Sequence, residues 1–271
     1  MNYKLEVPLS RELEKFRHRI EATLKPYIEI KIENNDQVSW WQSKFGGLPY
    51  LPKGFEYPKN PNGDYLFLLA QINFTEVPNL EGFPNEGILQ FYIPDDELLG
   101  SSPAPNVEDV FQVVYFNKPD LNVKNIVTNY DFFPETEFFP VAGCCSLHFT
   151  KKSAPINRYD YRFKKLLGQE FEDLYINNAR IRHEYKKISD DIGHKIGGYH
   201  NTVQPFDPRP EANQPESDRE PYILLLFQIY EDFNQVVSIN WIGGVCHFFI
   251  QESALKNLDF SSVIYNWECD D

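Results

Sequence analysis

Two histidines bracket a double glycine in the run His194-Lys-Ile-Gly197-Gly198-Tyr-His200. Imidazole is the general base of neutral pH, and consecutive glycines offer backbone amides to an anion. An earlier run, Ser43-Lys44-Phe-Gly46-Gly47, carries the same turn, with Ser43 where His194 stands and Pro49 where His200 stands. If the two turns line one cleft, its polar groups are Ser43, Lys44, His194, His200 and Gln204. That cleft would hold an anion on the glycine amides, or use His194 as base with His200 or Gln204 positioning a substrate, a hydrolase-type arrangement. In the competing reading the glycines serve turns and the histidines satisfy loop backbone. No acidic partner or nucleophile stands at a recognisable spacing from His194.

Gln71 and Gln228 each lie near the end of an apolar run, where a buried amide must find partners. They either bind a ligand at equivalent positions or bridge backbone groups where strands diverge. A zinc site drawn from Cys144, Cys145, His148, Cys246 and His247 is disfavoured, because adjacent strand residues point to opposite faces and no Cys-x2-Cys knuckle is present. No metal and no cofactor is expected. Phosphate-binding loops, dinucleotide fingerprints and serine elbows are absent from the sequence.

A duplication must position these groups. The apolar runs at 66–72 and 223–229 both contain Gln-Ile, and the strands that follow start at Gly87 and Gly244. Gln71 and Gln228 are offset by 157 positions, as are Gly87 and Gly244, whereas the double glycines are offset by 151. The difference falls in the proline-rich passage of the second copy, at 205–221, expected to be the most mobile part of the chain. The expected organisation is one pseudo-symmetric domain over 1–271, with a helical segment at 1–26, a first repeat at 40–116, a connector at 117–190 and a second repeat at 194–271.

Ser10 is placed to cap a helix over 11–25 lying across the sheet and ended by Pro26. Residues 27–32 alternate as a half-exposed strand, and further strands are expected at 66–72, 87–93, 111–116, 244–250 and 262–265. Short helical turns follow Asp95 or Asp96 and span 253–258. The stretch 117–153 reads as irregular, and 159–188 as helical with a break at Gly168. With 16 Tyr, 22 Phe and short β-branched runs, the composition favours strands. The expected fold class is mainly β with minority helix: roll-like sheets built from two tandem repeats.

Of the formal net charge of -14, residues 151–187 contribute +5 and the rest -19. Such a surface repels nucleic acid and attracts a basic partner, or keeps the protein soluble. The basic stretch is a solvated or self-pairing face in the reading its helical spacing favours. No apolar window is long enough to span a membrane, the start lacks a secretory pattern, and the four cysteines suit reduced thiols, so a cytoplasmic protein is expected.

The run from Ser43 through Gly46-Gly47-Leu-Pro-Tyr-Leu to Pro52, Leu-Ala-Gln-Ile ending at Ile72, Gly87-Ile-Leu-Gln-Phe91, His194 to Tyr199 with Val203-Gln204, and Gly244 to Ile250 together resemble the YwqG-like family of bacterial proteins. The resemblance covers the chain from Trp40 onward. It implies a mainly β, roll-like fold of two similar motifs and no established reaction, cofactor or catalytic residue. The functional expectation is a non-enzymatic binding protein that engages a basic protein partner through its acidic surface or inter-repeat cleft, in its sharpest form an immunity or antitoxin-like inhibitor. The alternative is a small-ligand binder or enzyme acting at the Gly-Gly turns.

Overall fold

Alternation of Ile28, Ile30 and Ile32 with charged residues forms strand β1 (Lys25–Ile32). In the computed structural model, which describes residues 3–101, 110–190, 192–212 and 220–269, β1 lies in the middle of the main sheet. The other strands are β2 (Lys44–Gly46), β3 (Phe67–Asn73), β4 (Ile88–Ile93), β5 (Gln112–Phe116) and β6 (Val141–Ala154). Later in the chain come β7 (His194–Gly197), β8 (Leu224–Tyr230), β9 (Asp232–Phe233), β10 (Val237–Ile239), β11 (Val245–Ile250) and β12 (Ile264–Glu268). Their order is β12-β11-β8-β7-β1-β6-β2-β3-β4-β5, with β10 pairing β6 and β9. The fold is mainly β with a minority of helix.

The two ends of this sheet share one core. Phe91 of β4 stacks on Phe227 of β8 at 4.6 Å between ring centroids, and Phe45 of β2 meets Phe227 at 6.0 Å. The apolar runs at 66–72 and 223–229 are buried on both faces because loops cover the side opposite this core.

Several expectations need correction. The helix over 11–25 is two short helices, α1 (Arg11–Glu14) and α2 (Arg17–Ala22), and Pro26 lies inside β1. The break falls at Phe16, whose φ of -105° and ψ of 1° depart from the helix and whose ring packs on Phe171, 5.2 Å away. Ser10 does cap α1, accepting from Leu13 N–H at 3.5 Å. Leu13, Phe16 and Ile20 pack into a second core with Phe163, Phe171 and Tyr185, rather than into the core of the main sheet. The helical region 159–188 holds three helices, α3 (Phe163–Leu167), α4 (Gln169–Asn177) and α5 (Ala179–Ser189). Gly168 makes the first break with φ 90°, and Asn178 caps α5 at the second.

The stretch 117–153 is not irregular throughout, because its last part forms β6, which pairs with β1, β2 and β10. Cys145, Leu147 and Phe149 point into the core while His148 faces out, the period-two signal of a strand. The hairpin of β9 and β10 was also unexpected. Asp96 orders the turn after β4 by accepting from Leu98 and Gly100 N–H. A last short helix, α6 (Glu252–Lys256), falls near the expected turn. Part of the proline-rich passage, 213–219, lies outside the described residues.

Candidate functional site

Cross-strand register places Lys44, Gln71 and Gln90 side by side, and it places Lys195, Gln228 and His247 side by side. Period-two alternation turns both rows away from the aromatic core, onto the face that the loops after the double glycines cover. Gly46 and Gly47 have φ of 62° and 69°, Gly197 and Gly198 of 74° and 72°, so each pair turns the chain left-handed back over its row. A Cβ at Gly46 would meet the Gly143 carbonyl oxygen at 2.4 Å, which excludes any side chain there.

Within each row the polar groups hold the returning loop. Gln71 accepts from Tyr50 N–H at 2.8 Å and donates to the Trp40 and Gln42 carbonyls at 2.8 Å each. Gln228 accepts from Asn201 N–H at 2.8 Å and donates to the Gly193 carbonyl at 2.7 Å. Lys44 Nζ donates to the Ser39 and Leu48 carbonyls at 2.8 and 3.1 Å, and burial brings its pKa down to about 8. Lys195 Nζ donates to the Asn201 side chain and, at 3.5 Å, to the Tyr199 carbonyl. Ser43 accepts from Asn73 N–H at 2.8 Å, and Gln204 donates to the Cys269 carbonyl at 2.5 Å.

His194 stands on the core-facing side of β7, its ring 4.9 Å from that of Phe45. Its Nδ1 accepts from Tyr230 N–H at 3.1 Å, so Nε2 carries the proton and faces the Asp232 carboxylate at 3.4 Å. That hydrogen bond lowers the pKa of Asp232. A cleft of about 570 Å³ opens beside the pair, lined by β1, the start of β7 and the chain from Tyr230 to Asn234. Ser43, Lys44, His200 and Gln204 do not line this cleft. The main sheet interposes β1 and β6 between β7 and β2, so the two Gly-Gly turns fold over separate rows.

His200 instead lies in a buried charge network that spacing did not reveal. Asp160, His200 and Asp207 bring ligand-type atoms within 4.8 Å of one another. Arg209 forks onto Asp207 at 2.9 and 2.6 Å and reaches Asp160 at 2.9 Å, while Arg162 holds Asp160 at 2.8 and 2.5 Å. Two guanidinium groups neutralise two carboxylates, and a cation would have to displace them, so this donor set does not fit a metal. Burial drives the His200 pKa down to about 4, with Arg209 adding to the fall. His247 donates from Nε2 to the Asn201 carbonyl at 2.6 Å, and burial pushes its pKa down to about 3.

The cysteines sit apart. Cys145 and Cys246 point into the core and Cys144 lies half-buried beside Gly47. Burial raises the Cys145 thiol to about 12, far from a thiolate at neutral pH. Within the basic stretch Lys164 pairs with Glu172 at 3.2 Å, while Arg180 reaches Glu12 at 2.5 Å and Lys186 reaches Asp190 at 3.9 Å, both outside it.

A mainly β scaffold with paired Lys and Gln rows behind double-glycine turns is the type of protein these observations define. The chain belongs to the family described as Domain of unknown function (DUF1963), whose pattern matches residues 43–269, in agreement with the YwqG-like resemblance. No curated protein matches the chain. No helix among the described residues is long and apolar enough to cross a membrane.

Proposed function

We propose that this chain is a non-enzymatic binding protein that engages a basic protein partner through acidic surface, on a scaffold of two structurally similar repeats rolled into one domain. The observation that carries the reading is the engagement of the candidate chemistry by the fold itself. Gln71, Gln228, Lys44 and Ser43 are bonded to backbone groups, and His194 directs one ring nitrogen to Tyr230 and the other to Asp232. A general base needs a lone pair facing its substrate, and His194 spends its own on a backbone amide.

The repeat reading is supported by matched bonds, since Gln71 to Tyr50 and Gln228 to Asn201 join the same positions under the two sequence offsets. Neutralising a basic toxin is the sharpest form of the proposal. Its test is affinity capture from extracts of the native host at low salt, followed by titration of the purified pair. The expected complex weakens steeply as salt rises from about 0.05 to about 0.5 M. A chain that retains no basic protein would refute the proposal.

A second reading, a small-ligand binder or enzyme, is favoured by the His194–Asp232 pair opening on its cleft. Under it, His194→Ala abolishes a phenotype without lowering the melting temperature. If the histidine is structural, the same substitution lowers stability instead.

A further inference from the structure

The first Gly-Gly turn borders a second depression, of about 540 Å³, whose walls include Gly47, Leu48, Phe67, Phe133, Glu135 and Phe139. Three rings stand in series there. Phe67 lies 5.8 Å from Phe133 and 5.6 Å from Phe139, with interplanar angles of 44° and 45°. Glu135 is the one ionisable residue among those lining the groove, and it is exposed and without an ion pair among the described residues. Residues 128–143 contain Asp131, Glu135 and Glu137 and no lysine or arginine. The loop is also anchored, because Asp95 accepts from Glu137 and Phe138 N–H at 2.9 and 2.7 Å.

The corresponding position in the second half is closed. Leu48 is 39% exposed, whereas Tyr199, which the sequence offset places opposite it, is 6% exposed and packs into the helical core. Its hydroxyl donates to the Thr23 carbonyl at 2.6 Å. The chain's own helices thus close this position in the second half, while the aromatic groove beside the first Gly-Gly turn stays open.

Aromatic faces carry negative potential, and a carboxylate beside them adds a full charge. We propose that this groove takes an arginine or lysine side chain of the basic protein partner, its cation lying against the Phe67–Phe133–Phe139 rings and paired with Glu135. The inference rests on the basic-partner reading and locates its contact. Arginine is the better fit, since a planar guanidinium stacks on a ring and forks a carboxylate at once.

The test titrates the full chain with three capped pentapeptides, Gly-Gly-X-Gly-Gly, in which X is arginine, lysine or the neutral isostere citrulline. The arginine peptide is expected to bind about tenfold more tightly than the citrulline peptide, and Glu135→Gln or Phe139→Leu to weaken it by about threefold to tenfold at unchanged melting temperature. Glu135 is exposed, so its variant decides the matter even if Phe139→Leu unfolds. Equal binding of the citrulline peptide, equally tight binding of tetramethylammonium, or no binding of the arginine peptide overturns the proposal. So does arginine binding that ignores both substitutions. A basic protein captured at low salt whose affinity also ignores them leaves the basic-partner reading standing and removes the groove from it.

Discussion

Gln90 and His247 answer the same structural demand with different chemistry. In the first half, Gln90 donates to the Tyr50 carbonyl at 2.7 Å and accepts from the Tyr92 hydroxyl at 2.9 Å, so both ends of its amide are used. In the second half, His247 donates to the Asn201 carbonyl, and its Nδ1 meets no partner among the described residues. Phe249 stands where Tyr92 would be, stacked on the His247 ring at 5.5 Å and lacking the hydroxyl. An amide satisfies this site at any pH. A buried imidazole is accommodated there only while neutral, because its charged form has no compensating partner, and the adjacent His200, 5.7 Å away between ring centroids, is likewise held neutral by burial. The same backbone register therefore puts a group that does not titrate at this position in the first half and an acid-sensitive one in the second.

Removing a shared element should have the largest effect. Gln71→Ala leaves the Tyr50 N–H and the Trp40 and Gln42 carbonyls without their partner, and should lower stability by about 4 kcal/mol in urea unfolding. Gln228→Ala should act similarly. A large gap between the two would break the equivalence of the rows.

Acid comes next. Burial holds the folded pKa of His200 at about 4 and that of His247 at about 3, below the ordinary imidazole value of about 6.5. Between those limits the unfolded chain binds more protons, so stability is full above about pH 6.5 and falls as pH drops toward 4. The double substitution His247→Gln with Phe249→Tyr copies the first half, and should recover about 2 kcal/mol at pH 5 relative to pH 7. Gln90→His should give the first half the same weakness. An unchanged pH profile in both variants would show that these histidines do not govern acid stability.

A smaller difference separates the lysines. Lys195→Met should cost more than Lys44→Met, by about 1 kcal/mol, because Lys195 also holds the Asn201 side chain that contacts Gln228. Chemical denaturation of the pair measures it, and equal losses would contradict the asymmetry. Least of all should Glu12→Ala matter, at under about 0.5 kcal/mol, since it removes an exposed ion pair with Arg180. A larger loss would mean that the basic stretch is bound to the body through its charges.

The equivalence of Gln71 and Gln228 was legible in the sequence because strand register preserves spacing: one offset relates Gln71 to Gln228 and Gly87 to Gly244, whereas the rows they belong to emerged only from the register. The same offset sets His247 opposite Gln90, a signal sufficient to find the contrast above. The double glycines gave away the turns, but not that those turns fold over separate rows, because strand order is a non-local property. Strand β6 escaped because its alternation of Cys145, Leu147 and Phe149 follows a stretch dominated by Phe-Pro pairs. Asp160, Asp207 and Arg209 carried no signal at all. Their side chains meet only after the helices and the proline-rich loop have packed, and no local period anticipates that.

The most direct test of the account is the affinity for a captured basic partner, measured across salt concentration for the native chain, Glu135→Gln and His194→Ala. The account predicts binding that weakens steeply with salt, weakens again in Glu135→Gln at unchanged melting temperature, and survives His194→Ala once stability is matched. Binding indifferent to salt and to Glu135, and abolished by a stable His194→Ala chain, would contradict it and turn attention to the cleft beside Asp232.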